Sequence, residues 1–191
     1  GLNQRTKTWF KTTGGVFPLQ KSVDGAETFE PWGSGIRGLY VNTVWVHPCP
    51  PQGMTNVVLA GTESGLYMTA DSHDNEWLYA RSVSNAPIYA WSFAADWADP
   101  NSVFYALGNP AWSEEHLMGV YRVGLDDFST NYTYASSQVL SGIGVWKLVT
   151  TPADPLRIYA GTQTNGVMVS YDGGDNWTTL NDGLTLPLSV T

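Results

Sequence analysis

Ser170-Tyr171-Asp172-Gly173-Gly174-Asp175-Asn176-Trp177 follows the strand-like run Gly166-Val167-Met168-Val169-Ser170, and the architecture of the whole chain can be worked out from it. Ser, Asp, Gly and Trp stand at relative positions 1, 3, 5 and 8 of the stretch. A hydroxyl and a carboxylate two residues apart can hold the amides of a tight turn, because both bond readily to nearby backbone. Gly173 and Gly174 supply φ values that other residues resist. Trp177 leads the chain out of the turn and brings a large apolar body to bury. The stretch reads as a hairpin turn, and Asp172 as a staple of that turn rather than a reacting group.

The same pattern returns upstream. The strand Ile158-Tyr159-Ala160-Gly161-Thr162 precedes the turn, and Val58-Leu59-Ala60-Gly61-Thr62 matches it, followed by Gly65 to Thr69, Asp71 and a closing Trp77. A third copy aligns on Phe104-Tyr105-Ala106-Leu107-Gly108 and continues through Gly119 to Val123, its turn decayed to Gly124-Leu125-Asp126-Asp127-Phe128. The first copy keeps Ser22 and Asp24 and has Phe29 in place of Trp. Aligned this way, Ala60, Ala106 and Ala160 are 46 and 54 residues apart. That spacing is the length of one four-stranded propeller blade.

Other features keep phase with the alignment. Trp45, Trp91 and Trp146 each centre a strand ahead of a copy, and a Pro-containing turn follows each at 47–51, 99–102 and 153–155. Proline fixes φ, so these are turn signals. The strand-like runs are short, β-branched and aromatic, bounded by Gly, Pro, Asn and Asp. No segment has convincing helical periodicity. The expected architecture is an all-β partial propeller of about three and a half blades: half a blade at 1–33, blades at 40–81, 86–135 and 140–180, and the start of another at 184–191. Closed propellers have about 4–8 blades. The chain is therefore expected to be a piece of a longer propeller, or to close against a partner subunit.

Ser170, Asp172, Gly174 and Trp177 resemble the Asp-box, the S-x-D-x-G-x-x-W hairpin of sialidases, xyloglucanases, sortilin-type receptors and photosystem assembly factors. Thr69, Asp71 and Trp77 form a second, looser match, and Ser22, Asp24 and Phe29 a third. In those families the box marks the fold and lies on the side opposite the active face. The resemblance implies a β-propeller and an extracytoplasmic setting: secreted, periplasmic or cell-surface. Its catalytic patterns do not carry over. Sialidases set three arginines on the substrate carboxylate and have an Arg-Ile-Pro motif, whereas this chain has only Arg5, Arg37, Arg81, Arg122 and Arg157 and no such motif. Xyloglucanase-like enzymes use two opposed aspartates across a cleft, and Asp96 and Asp99 are too local to form that pair alone.

Composition narrows the partners. The 191 residues carry a formal charge of −8, which leaves no basic stripe to displace counterions and excludes a nucleic-acid partner. No apolar run approaches the ~20 residues that span a membrane. Nine Trp and ten Tyr suit sheet surfaces and sugar-like ligands. The single Cys49 forms no internal disulfide and leaves the redox compartment unread. A chain opening on Gly1 with no signal-like stretch is expected to be mature, trimmed or partial. Sequons at Asn131 and Asn176 permit glycosylation only in a eukaryotic secretory host.

Several side chains are candidates for binding. Trp45, Trp91 and Trp146 either pack blade on blade or form an aromatic rim around the central channel. The insertion Asn109 to Leu117 is the longest departure from the repeat, and its Trp112, Glu114, Glu115 and His116 would suit sugar stacking and acid/base work; a merely variable loop is the plainer reading. The acidic hairpin from Asp71 to Glu76 could hold Ca²⁺ but lacks the alternation of a calcium loop. His47 and Cys49 lack the second pair a zinc site needs. No cofactor is expected otherwise, and no catalytic residue is assigned. Two functions remain open: a non-catalytic binding or assembly module for a protein or glycan, and a fragment of a secreted glycoside hydrolase of xyloglucanase-like or sialidase-like type.

Overall fold

The computed structural model describes residues 8–13, 19–36, 40–63, 65–70, 76–80, 89–108, 117–128 and 136–184. Among these the secondary structure is all β apart from 3-10 geometry at Leu117 and a 3-10 turn at Leu125–Asp127. The first sheet has three strands, β1 (Trp9–Thr12), β2 (Leu19–Ser22) and β3 (Glu30–Pro31). The second has β4 (Val41–Val46), β5 (Val58–Thr62), β6 (Gly65–Thr69) and β7 (Leu78–Ala80). The third has β8 (Ala90–Ala95), β9 (Ser102–Leu107), β10 (Gly119–Gly124) and β11 (Ser136–Ser141), so it runs past residue 135. The fourth has β12 (Val145–Thr151), β13 (Asp154–Thr162), β14 (Val167–Ser170) and β15 (Thr178–Thr179). Every sheet is antiparallel and takes its strands in chain order.

Strands that are apolar on both faces must be covered on both faces. All of β9 is buried, and the sheets satisfy it by stacking. One core joins Leu19 of the first sheet to Val58, Ala60 and Tyr67 of the second. Another joins Leu59 and Met68 to Phe93, Tyr105 and Tyr121 of the third. The last joins Ala94, Phe104, Ala106 and Val120 to Leu148, Ile158, Ala160 and Met168 of the fourth. First strands of neighbouring sheets touch, β4 on β8 and β8 on β12. Bonds reinforce the second contact: the Leu148 amide donates to Ser92 Oγ at 3.1 Å, and Thr150 Oγ1 donates to the Ala95 carbonyl at 2.9 Å. Blades arranged about their first strands form a β-propeller, here a partial one.

The register corrects the alignment of the third copy by one residue. Val44 pairs with Ala60, and Leu148 with Ala160, each pair facing the preceding sheet. In the third sheet the pair facing that way is Phe93 with Tyr105. Ala106 points to the fourth sheet instead, so Tyr105 is the counterpart of Ala60 and Ala160. Because side chains alternate, a slip of one residue exchanges the two faces.

The same correction separates the three tryptophans. Each first strand carries one extra residue near its start, a β-bulge, and the extra residues are Asn42, Trp91 and Trp146. Trp45 sits further along, opposite Leu59, where the other sheets have Ala94 and Val149. It packs into the core with its ring centroid 6.3 Å from that of Phe93. Only Trp91 and Trp146 are equivalent.

Among the described residues the first sheet has no innermost strand. Ser22 ends β2 as Ser170 ends β14, so β2 corresponds to the third strand of the other sheets and β1 to the second. Consistently, β1 lies on β4 as β5 lies on β8.

Candidate functional site

The box turns are built as local hydrogen-bond cages. Ser170 Oγ donates to Asp172 Oδ1 at 2.8 Å and accepts the Gly174 amide at 2.8 Å. Asp172 in turn accepts the Asn176 amide and side-chain amide, each at 2.8 Å. Gly174 adopts a φ of +106°, and a Cβ there would stand 3.0 Å from Val139 Cβ. The first-sheet turn repeats the plan, with Ser22 donating to Asp24 and Asp24 accepting the Glu27 and Thr28 amides. These bonds favour the ionised carboxylates. Asn176 and Ser170 bring Asp172 down to about 2, and Ser22 and Thr28 hold Asp24 far below the usual carboxylate range. Both aspartates are committed to their turns. Asp71 lies outside the described residues.

The closing tryptophans reach back to the preceding sheet. Trp77 Nε1 donates to the Trp32 carbonyl at 2.8 Å, with Trp32 edge-on to its ring. Trp177 Nε1 donates to the carbonyls of Val139 and Gly174 at 3.0 and 2.9 Å. Trp77 is buried and Trp177 half-buried. Phe128 closes the third turn inside the core, and Phe29 meets the Lys11 ammonium at 5.6 Å.

The box turns leave at the end where β4, β8 and β12 finish. The opposite end carries an aromatic ledge. Trp91 and Trp146 meet edge to face with centroids 5.2 Å apart, and Tyr89 stacks beside Trp91 at 6.4 Å. The bulge explains why two indoles stand together here, since an extra residue re-aims its side chain out of the ladder. Trp91 Nε1 is spent on the Gly108 carbonyl at 2.7 Å. That approach requires Gly108, where a Cβ would stand 3.2 Å from Trp91 Cδ1 and 3.0 Å from the Val145 carbonyl oxygen. Trp146 remains 38% exposed, and Lys147 beside it is exposed. Trp112, Glu114, Glu115 and His116 lie outside the described residues.

The described carboxylates nearest the inner strands are neutralised. Asp96 is 4% exposed and Arg122 39%, and Arg122 Nε donates to Asp96 Oδ2 at 2.6 Å. The same guanidinium donates to Asp99 Oδ2 at 3.0 Å. Asp96 Oδ1 accepts the Ala98 and Asp99 amides, so the three side chains brace one turn. No signal in the sequence paired Arg122 with these aspartates, because the partners are more than twenty residues apart. Arg157 pairs with Asp154 at 2.7 Å and lies over the Tyr171 ring.

His47 is buried beside Trp45, and its Nδ1 accepts the Cys49 amide at 3.2 Å. The ring proton therefore sits on Nε2, which has no partner. Burial lowers its pKa. Cys49 is exposed. Among the described residues no three His, Cys, Asp or Glu side chains group as metal ligands, and no helix is long and apolar enough to cross a membrane.

No family model matches the chain, and no curated protein does. Solved structures do. The GH74 enzyme of Niastella koreensis superposes with a TM-score of 0.63 at 14% identity, over 92% of this chain and 28% of that one. The extracellular domain of the hybrid two component system BT4673 from B. thetaiotaomicron gives 0.63 at 13%, over 98% and 22%. YCF48 from Cyanidioschyzon merolae gives 0.56 at 13%, over 84% and 49%. The chain thus spans about a quarter of the GH74 enzyme and half of YCF48. At these identities the likeness shows the fold, and the chain has the fold of the β-propellers.

Proposed function

We propose that this chain is a non-catalytic binding or assembly module, working outside the cytoplasm, whose propeller surface holds a protein or glycan partner. The observation that carries the reading is the Tyr89–Trp91–Trp146 ledge at the end away from the box turns. A half-exposed indole held by a second indole offers a rigid apolar plate, suited to the face of a sugar ring or to an apolar side chain. Asp24, Asp96, Asp99, Asp154 and Asp172 are all engaged in turns or ion pairs, which favours binding over acid/base chemistry. The extracellular setting of the BT4673 domain supports the compartment.

A second reading, a fragment of a glycoside hydrolase, draws on the likeness to GH74 enzymes. A glycan array, a peptide array and a xyloglucan and sialoside hydrolysis assay separate the two. The binding reading expects a hit on one array that Trp146→Ala weakens by about tenfold, the effect of about 1.4 kcal/mol of lost stacking, without hydrolysis. Turnover of xyloglucan by the chain would move the assignment to the enzyme.

A further inference from the structure

The stack of sheets has two end faces, and they differ in chemistry. Each sheet after the first turns one cross-strand pair toward the sheet before it: Ala60 with Tyr67, Tyr105 with Tyr121, and Ala160 with Met168. All six side chains are buried, in the cores that join the sheets. In the first sheet Gln20 stands two residues before Ser22, as Met168 stands two before Ser170, and its partner is Lys11. Lys11 is exposed, and so is Trp9 on the same face of β1. A sheet stacked there would bury an ammonium and an amide where every other seam buries apolar groups. The free face of the first sheet is made for water.

The free face of the fourth sheet is the opposite case. Val149 pairs with Tyr159 on it, and the Leu180 amide donates to the Val167 carbonyl beside them. Arg157, two residues before Tyr159, lies over the Tyr171 ring. Val149, Tyr171 and Leu180 are exposed, and a contiguous exposed apolar patch marks a contact surface. In the second and third sheets the same face carries the next seam, through Trp45 and Ala94. Charge stands at both ends of its inner hairpin, β12 with β13. Lys147, opposite Gly161, is exposed at the end away from the box turns, and Asp154, opposite Thr151, lies at the other.

We propose that two copies of this chain pair through that face, fourth sheet on fourth sheet, about a two-fold axis running across the strands. A head-to-tail stack would set Val149 and Tyr159 against Lys11 and Gln20 of the next copy. A two-fold contact sets each apolar face against its equal and closes at two. The direction of the axis follows from the charges. Running across the strands, it exchanges the ends of the hairpin and brings Lys147 of each copy opposite Asp154 of the other. An axis along the strands would keep the two charges at opposite ends. Apolar burial holds the pair together, and the charges fix its orientation. The contact is independent of the aromatic ledge.

Sedimentation velocity over a concentration series tests the pairing. The expected result is a monomer–dimer equilibrium with no larger species. Val149→Lys should weaken the dimer at least about tenfold. Lys147→Glu and Asp154→Lys should each weaken it several-fold, with each variant shown to be folded by its melting curve. The double variant Lys147→Glu/Asp154→Lys should recover the dimer, which no contact confined to one copy can produce, because the two positions lie at opposite ends of their own hairpin. Lys11→Glu should leave the equilibrium unchanged. A monomer at every concentration, open-ended oligomers that Lys11→Glu suppresses, or a double variant no better than its singles would each overturn the proposal.

Discussion

Asp172 and Asp24 have the same surroundings and the same consequence for stability. Their folded pKa values are depressed by turn hydrogen bonds, so the stability they contribute is present above the unfolded value near 3.9. It is lost as pH falls through the folded value, which for Asp172 is about 2. Asp172→Ala should therefore lower the melting temperature at pH 7, with the gap to the parent chain closing below pH 4 in acid melts. A gap that stays constant down to pH 2 would contradict the linkage. His47 works on a different window. Its neutral form is favoured by burial, so below the ordinary value of about 6.5 the unfolded chain binds a proton that the folded chain refuses. Stability should fall as pH drops from about 6.5 toward the lowered folded value. His47→Asn, which keeps an acceptor for the Cys49 amide, should flatten that slope in denaturant titrations between pH 7 and 5.

At the scale of the element, the closing residue of each turn decides how one sheet is tied to the one before it. Trp177 donates across to Val139 and back to Gly174, and Trp77 donates to Trp32. Phenylalanine, already present as Phe128 in the third sheet, supplies the apolar body without the donor. Trp177→Phe should cost about 1–3 kcal/mol, one donor lost and two carbonyls left short of it, and chemical denaturation would read it. No loss would mean the indole contributes area alone. The bulges act at the same scale. They place Asn42, Trp91 and Trp146 at one position, and the two tryptophans meet only because neighbouring first strands both bulge there.

Across the whole molecule, two surfaces stand where the stacking stops. Val149 and Tyr159 pair on the face of the fourth sheet whose counterparts, Trp45 and Ala94, are packed against a following sheet, while Val169 beside them is buried. Val149 is 52% exposed. At the other end, β1 occupies the place of a second strand with no strand on its far side among the described residues. Unpaired strand edges and uncovered sheet faces favour association. The 191-residue chain alone should sediment as concentration-dependent oligomers, and Val149→Lys should shift the distribution toward monomer. A cooperatively melting monomer at all concentrations would mean that the chain covers these surfaces itself.

The class of fold and the turns could be read from the order of residues alone. Both are written in local chemistry: Ser-x-Asp spacing, glycines at positive φ, and short β-branched runs repeating at blade length. The four sheets and the cages around Asp24 and Asp172 were legible for that reason. The face each strand residue turns to was not. Ala106 aligned with Ala60 and Ala160 by identity, yet the register puts Tyr105 in their place, because a one-residue slip costs nothing in a string of letters and exchanges the faces of a sheet. Trp45, Trp91 and Trp146 looked alike for the same reason, and a bulge, which leaves no mark in composition, sends two of them to the ledge and one to the core. The Asp96–Arg122–Asp99 brace depends on β10 pairing with β9 inside the third sheet, which brings together side chains more than twenty residues apart.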